Sequence, residues 1–266
     1  TALSDSLSKL GSRLVLRQGD SAEILKSMCK QANVRAVYWN RVYEPAFVER
    51  DSRLKASLKS LDLDVRSFAS SLLLEPWDLL KADQTPYLVF TPFWKQMQKR
   101  WSPPEHASAP SRLPLPEEWP AGDEVDDLKL LPEPDWAQEF PQRWVPGESA
   151  ARSRLASFVD EAVSGYEQGR DRPGQHGTSR LSPHLHFGEI SPRQVVRALD
   201  EAGQLPNGKG RWSFLREIAW REFSAHLLFH YPHLPERPLK EQFESFPWRN
   251  REDYAEDLSA WQQGQT

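Results

Sequence analysis

Three side chains in the run WSFLREIAWREFSAH, residues 212–226, combine an acid, an aromatic and a cation at helical spacing. They are Glu217, Trp220 and Arg221. At i, i+3 and i+4 of a helix they project from one face. Such a face can stack on a planar ligand while hydrogen-bonding its edge. Phe214, Ile218 and Phe223 supply apolar packing, and Arg216 and Glu222 are assigned to other parts of the surface. The same spacing also fits an amphipathic helix with a Glu217–Arg221 ion pair and a half-buried indole.

A second stretch suits an anion. Gly177-Thr178-Ser179-Arg180-Leu181-Ser182 offers a glycine, three hydroxyls and a guanidinium just before an expected helix start at Ser182-Pro183. Backbone N–H groups and the positive end of a helix attract negative charge, and Arg180 adds to it. Equally, Ser182 can simply cap its helix above a polar turn. Tyr166 and Arg170, four apart at an expected helix end, can reach phosphates or shield the helix. His184 and His186 alternate, but no carboxylate or cysteine pattern accompanies them, so no metal site is expected. Cys29, the single cysteine, excludes an internal disulfide and reads as a small buried hydrophobe.

The elements that must position these groups follow from periodicity and punctuation. Residues 5–10 read as a helix end closed by Gly11, Arg13 to Arg17 as a short strand, and Gly19-Asp20-Ser21 as the cap of a helix through about Gln31. Val34 to Trp39 and Asp64 to Ala69 read as strands on either side of a helix opened by Glu44-Pro45. About three strands alternating with helices imply an α/β layer with a parallel sheet. Thr91-Pro92 starts a helix that ends near Trp101. Residues 102–147 hold 10 of the 22 prolines, and 102–150 carry a net charge of −8. This stretch reads as a connector pinned by Trp119, Trp136 and Trp144. From about Ser149 the pattern is helical: 153–165, then starts at Ser182 and Ser191, the latter helix running to about Gly203. The long helix to about His230 follows, and a proline-rich turn and two short polar helices finish the chain. Residues 151–221 carry +3, so a nucleic-acid surface belongs there. No apolar run is long enough to span a membrane. The first residue is not Met, and the chain reads as an internal piece of something longer.

Taken together, VYWNRVYEPAFVERD (37–51), VFTPFWK (89–95), GTSRLSPHLHFGEISPR (177–193), FLREIAWREF (214–223) and SAWQQGQT (259–266) resemble the DNA photolyase/cryptochrome family. The likeness is closest to class I-type members that act on cyclobutane pyrimidine dimers. It implies an incomplete α/β parallel-sheet antenna domain at 1–101, a long Pro-rich acidic connector at 102–148, and an incomplete all-α FAD-binding domain at 149–266. By the same resemblance, Tyr166 and the run Thr178, Ser179, Arg180, Leu181 and Ser182 hold the FAD phosphates. Phe214 lies beside the flavin and Arg221 in its pocket. Arg170 contacts DNA phosphate. Glu217 hydrogen-bonds the damaged bases and Trp220 packs on the dimer. Trp248, in FPWRN, is the outermost tryptophan of a photoreduction chain. The implied chemistry is electron donation from excited reduced FAD to a flipped dimer, ring splitting, and return of the electron. The family partner is damaged DNA, the protein a soluble intracellular monomer, cytoplasmic if bacterial, with no membrane association.

One departure concerns the antenna. Folate-binding members carry an Asn-Glu pair where this chain has Ala46 and Phe47, which counts against folate bound in that way and leaves deazaflavin, another mode, or none. A cryptochrome without repair activity and a (6-4) photolyase are the alternative readings; Glu217 with Trp220 favours cyclobutane-dimer repair. The piece by itself is expected to bind FAD poorly and to be inactive.

Overall fold

A computed structural model describes residues 2–100, 108–202 and 208–265. The expected helix ends at Trp101 and Gly203 and the first residues of the connector lie outside that range. By packing, the chain divides into two compact units, Thr1–His230 and Tyr231–Thr266. This division falls inside the expected helical domain rather than at residue 101 or 148.

The larger unit begins with α1 (Ala2–Lys9), after which Gly11 turns the chain at a φ of +79°. Asp20 caps α2 (Ser21–Gln31) by accepting the N–H groups of Ala22 and Glu23. β1 (Ala36–Asn40) and β2 (Asp64–Phe68) pair in parallel, in register from Ala36–Asp64 to Asn40–Phe68. Their crossover is α3 (Pro45–Lys59), with Pro45 in its first turn. Leu54, Leu58 and Val65 are the buried centre of this layer.

Arg13–Arg17 is not a strand, contrary to the expectation. A strand needs a continuous ladder, and this segment has only isolated bonds to the connector. Leu113 N–H reaches Leu10 O, and Asp123 N–H reaches Leu16 O. The apolar run Leu14-Val15-Leu16 is present, but among the described residues no strand pairs with it. The contacts instead dock the connector. Arg13 lies 4.6 Å from the Trp119 ring and donates to Pro120 O at 3.1 Å. Trp144 is held under Arg154 at 5.3 Å, whereas Trp136 stays 70% exposed beside Phe140.

The main core joins α4 (Phe90–Arg100) to the helices beyond the connector, which itself contains the short α5 (Phe140–Arg143). The expected helix over 153–165 is instead three segments: α6 (Glu148–Ser157), a widened π-turn at Phe158–Ala162, and a tight 3₁₀ turn at Val163–Gly165. Then come α7 (Tyr166–Gly169), α8 (Ser182–His186), α9 (Pro192–Glu201) and α10 (Lys209–His230). Ser191 and Gln194 form a reciprocal capping box on α9, as Ser191-Pro192 implies. Ser182 does not cap α8. Arg180, at a φ of +51°, turns the chain early, so Leu181 takes the cap position without a side-chain bond and Ser182 is already helical.

Two glycines set how these helices meet. A Cβ at Gly210 in α10 would lie 2.2 Å from Val163 O and 2.5 Å from Ser164 O, and one at Gly177 would lie 2.5 Å from Gly169 O. Both backbones touch where only hydrogen fits. The smaller unit holds a 3₁₀ turn at Glu241–Phe243 and α11 (Ala255–Gln262).

Gly210→Ala is therefore expected to cost about 3 kcal/mol, by overpacking against two carbonyls. Gly165→Ala, with nothing within 4 Å of the added methyl, should change stability by less than about 0.5 kcal/mol. Denaturant unfolding of the two variants, compared by midpoint, checks the contrast.

Candidate functional site

The helix that begins at Lys209 displays two of the three sequence-selected groups to solvent. The Glu217 carboxylate is ion-paired with the guanidinium of Arg170, the residue that ends α7. Each side chain is about one-third exposed, 36% and 37%, so water screens the pair and it contributes well under about 1 kcal/mol. One turn on, Trp220 is 43% exposed. Its indole stacks on Phe90, with ring centroids 3.7 Å apart and planes 8° from parallel.

Arg221 does not join them. Its guanidinium donates to the carbonyl of Ser71, so the i, i+4 pair with Glu217 expected from spacing does not form. Arg170 from another helix takes the acid, while the chain segment at 71–74 takes the cation.

The phosphate-type motif lies on an open cleft of about 470 Å³. Thr178, Ser179 and Arg180 line it, facing Ser153, Arg154 and Ser157 of α6 and His176. Ser179 Oγ accepts the N–H of Leu181 at 3.4 Å, which tightens the turn. Leu181 is 1% exposed and anchors the motif in the core, and Ser182 is exposed. Tyr166 and Phe214 do not line this cleft. They are buried together, with centroids 5.2 Å apart, and Phe158 packs on both. Burial pushes the Tyr166 phenol up, with the Glu217 charge adding to it. Arg170 lies 6.0 Å from the Tyr166 ring, so Tyr166 touches the Glu217 side of the site rather than the cleft. Gly177 against Gly169 ties the motif to the turn that carries Arg170.

Two guanidiniums and four hydroxyls line the cleft beside one carboxylate, Glu161, so cations outnumber the acid and the chemistry fits a phosphate-bearing ligand. The contribution of α6 was not read from the sequence. Ser153 and Ser157 stand at i, i+4, a polar stripe that offers a signal only once its apolar neighbours are placed. Among the described residues no cluster of three or more metal-ligating side chains occurs. Cys29 is buried, which pushes its thiol pKa up and leaves it unreactive.

Glu222 was assigned to the surface and is instead 3% exposed. One carboxylate oxygen accepts the N–H groups of Leu73 at 2.8 Å and Leu74 at 3.2 Å. Among the described residues the other oxygen has no hydrogen-bond partner, and Arg221 stands 3.9 Å from it. Burial outweighs both N–H bonds and pushes the acid up to about 8, which favours its protonated form. His226, 1% exposed, accepts the N–H of Tyr87 at 3.1 Å, and burial with nearby His230 lowers it to about 4.

In the smaller unit, Trp248 is 65% exposed and donates its indole N–H to Phe243 O at 2.9 Å.

Comparison with known proteins gives consistent matches. The family model described as DNA photolyase matches residues 1–116, and that of the FAD binding domain of DNA photolyase matches 214–266. A deoxyribodipyrimidine photo-lyase of Agrobacterium fabrum is 42% identical over 100% of this chain and 55% of its own length. Cryptochrome-1 of Arabidopsis thaliana is 32% identical over 99% of this chain and 40% of its own. A crystal structure described as a bacterial class III photolyase from Agrobacterium tumefaciens superposes with a TM-score of 0.91 at 42% identity, covering 99% of this chain and 54% of that one. The chain thus spans about half the length of the curated relatives it matches. The fold is that of photolyases and cryptochromes, with a small parallel sheet and many helices. No helix among the described residues is long and apolar enough to cross a membrane.

The two buried titrating groups predict opposite pH slopes. Between its ordinary value of 4.5 and about 8, folded Glu222 holds a proton the unfolded chain has lost, so stability falls as pH rises. Between about 4 and 6.5 the unfolded chain protonates His226 and the folded one does not, so stability rises with pH. Only the Glu222 slope acts between 6.5 and 8. Unfolding free energies measured there should fall by at most about 1.4 kcal/mol per pH unit, and Glu222→Gln should flatten the fall. A slope unchanged in that variant would assign it elsewhere.

Proposed function

We propose that this chain, which belongs to the DNA photolyase/cryptochrome family, is part of an enzyme that uses light to split cyclobutane pyrimidine dimers in DNA. The observation that carries the reading is the pairing on α10 of an accessible acid, Glu217, with an accessible stacked indole, Trp220, one turn apart. A dimer flipped from the duplex needs such a surface: a flat apolar wall and a hydrogen-bonding group at the pyrimidine edge. Trp220 provides the wall. Glu217 bonds the base edge and stabilises charge that develops on a pyrimidine carbonyl. Arg170, paired with Glu217 in the free protein, turns to a DNA phosphate, which exchanges one ionic partner for another at small cost because the pair is already hydrated.

The cofactor in this reading is FAD, which when bound and photo-excited supplies the electron. Thr178, Ser179 and Arg180 hold its phosphates in the cleft, and Leu181 and Ser182 fix the turn that presents them. Tyr166 and Phe214, buried together behind Phe158, back the cleft without lining it. Arg221 acts indirectly, holding the Ser71 carbonyl and so the rotation of α10. Trp248, largely exposed, suits the solvent end of a photoreduction chain. A hollow of about 160 Å³ lined by Trp39, Arg41, Lys55 and Trp77 has room for part of a second planar chromophore, deazaflavin or folate, and leaves its identity open. Ala46 and Phe47 stand exposed on the first turn of α3. The domain boundaries that go with this function are 1–101, 102–148 and 149–266, and the protein works as a soluble monomer on damaged DNA. The 42% identity to a protein described as class III supports that subtype over the class I likeness read from the motifs. A cryptochrome is the second reading, favoured by the 32% identity to Cryptochrome-1 across nearly the whole chain.

Repair of dimer-containing DNA by the full-length, flavin-loaded protein tests this. Repair should require light and fall roughly tenfold in Glu217→Ala. Bound flavin with no repair in either protein selects the cryptochrome reading. Arg170→Ala should weaken binding to damaged and undamaged DNA alike and lower the slope of log K against log salt by about 1.

A further inference from the structure

The stretch VFTPFWK carries part of the family likeness, yet none of its residues has a place in the chemistry above. Phe90, the second residue of that stretch, opens α4. It is 7% exposed, while the Trp220 indole stacked on it is 43% exposed. Phe223 meets both rings edge-on, 5.8 Å from Phe90 at 71° and 5.9 Å from Trp220 at 72°. One face of the indole is therefore covered by a buried ring and its orientation is braced by a second. The accessible surface of Trp220 belongs to the opposite side. An unsupported helical tryptophan samples more than one rotamer. Here, rotating the indole away breaks a parallel stack with a residue that cannot follow, because Phe90 is itself packed in the main core.

We propose that Phe90 is a positioning residue for Trp220, holding the indole so that its free face packs against a pyrimidine dimer without first being ordered. The inference rests on the reading that Trp220 packs on the lesion. Ordering a side chain on binding weakens affinity, and a side chain already ordered avoids that loss, which corresponds to roughly three- to tenfold in affinity for one aromatic ring. The gain is confined to the lesion. Undamaged duplex is held through its phosphates and presents no flipped base to the indole. The motif thus acts on substrate through packing, by way of Trp220.

A double-mutant cycle on the full-length, flavin-loaded protein decides it, with dissociation constants for dimer-containing and undamaged duplexes as the readout. Phe90→Leu keeps apolar volume and removes the ring; Phe90→Tyr keeps the ring; Phe90→Met replaces the leucine variant if that does not fold. Expected is a three- to tenfold loss of dimer affinity in Phe90→Leu, undamaged affinity unchanged, dimer affinity retained in Phe90→Tyr, and no further loss when Phe90→Leu is added to Trp220→Ala. An equal loss in the Trp220→Ala background, or a loss shared by undamaged DNA, would make Phe90 merely structural and overturn the proposal. So would a Phe90→Leu variant that binds dimers normally while Trp220→Ala does not. If Trp220→Ala itself leaves dimer affinity intact, the lesion-packing reading fails first, and the proposal with it.

Discussion

Glu222 sits inside α10, almost without contact with water, and takes the N–H groups of Leu73 and Leu74 on one oxygen. The surrounding cations complete what it begins. Arg221 reaches the carbonyl of Ser71, and Arg193 those of Leu72 and Leu73 at 3.4 and 3.3 Å. The segment from 71 to 74 thus gives its backbone groups to side chains of α9 and α10 rather than to a sheet or helix. Buried peptide groups must find partners somewhere, and here a single helix supplies most of them. His226 and His230, one and two turns further, extend the line to Tyr87 and Pro76. A carboxylate in that position is costly to keep ionised, and burial raises its pKa while one oxygen keeps its acceptor role.

That line of contacts has a consequence for the opposite face. Once residues 222, 226 and 230 lock α10 to the chain at 71–87, the rotation of the helix is set. Glu217 and Trp220 must then emerge where they do. The near end is set by Gly210 against the carbonyls of Val163 and Ser164, contacts that leave no freedom to slide. The cleft bearing Thr178 to Arg180 is referenced to the same frame through Gly177 on Gly169, next to Arg170. The proposed cofactor and lesion groups are therefore coordinated by backbone contacts, and the weak, hydrated Arg170–Glu217 pair can change partners without disturbing them.

Local chemistry was legible where a single residue settles it. Asp20 and Ser191 announced their caps, Pro45 its helix start and Gly11 its turn, because each acts on backbone within four residues. The strands at 36–40 and 64–68 and the long helix to His230 showed through their apolar patterns. The run Leu14-Val15-Leu16 misled because a short apolar stretch says that a segment could pair, not whether a partner strand is beside it. Ser182 misled because Arg180 bends the chain one residue earlier than a Ser-Pro pair suggests. The helix over 153–165 is interrupted from Phe158 on, and its end meets α10 at Gly210, a contact from nearly fifty residues away that the local pattern does not record.

The sequence by itself determined the residues of the proposed chemistry, the family resemblance and the helix that carries Glu217 and Trp220. All of these depend on residue types and short spacings. Only the tertiary structure decided which partner each charge takes. Glu217 turns to Arg170 rather than to Arg221, Arg221 to a distant carbonyl, and Glu222 inward rather than to water. The physical reason is that i, i+4 neighbours offer about 0.2–0.5 kcal/mol in water, whereas a buried peptide group left unpaired costs about 1–3 kcal/mol. Long-range backbone demand therefore overrides the local pairing that the spacing suggests, and no helical periodicity records where that demand will come from.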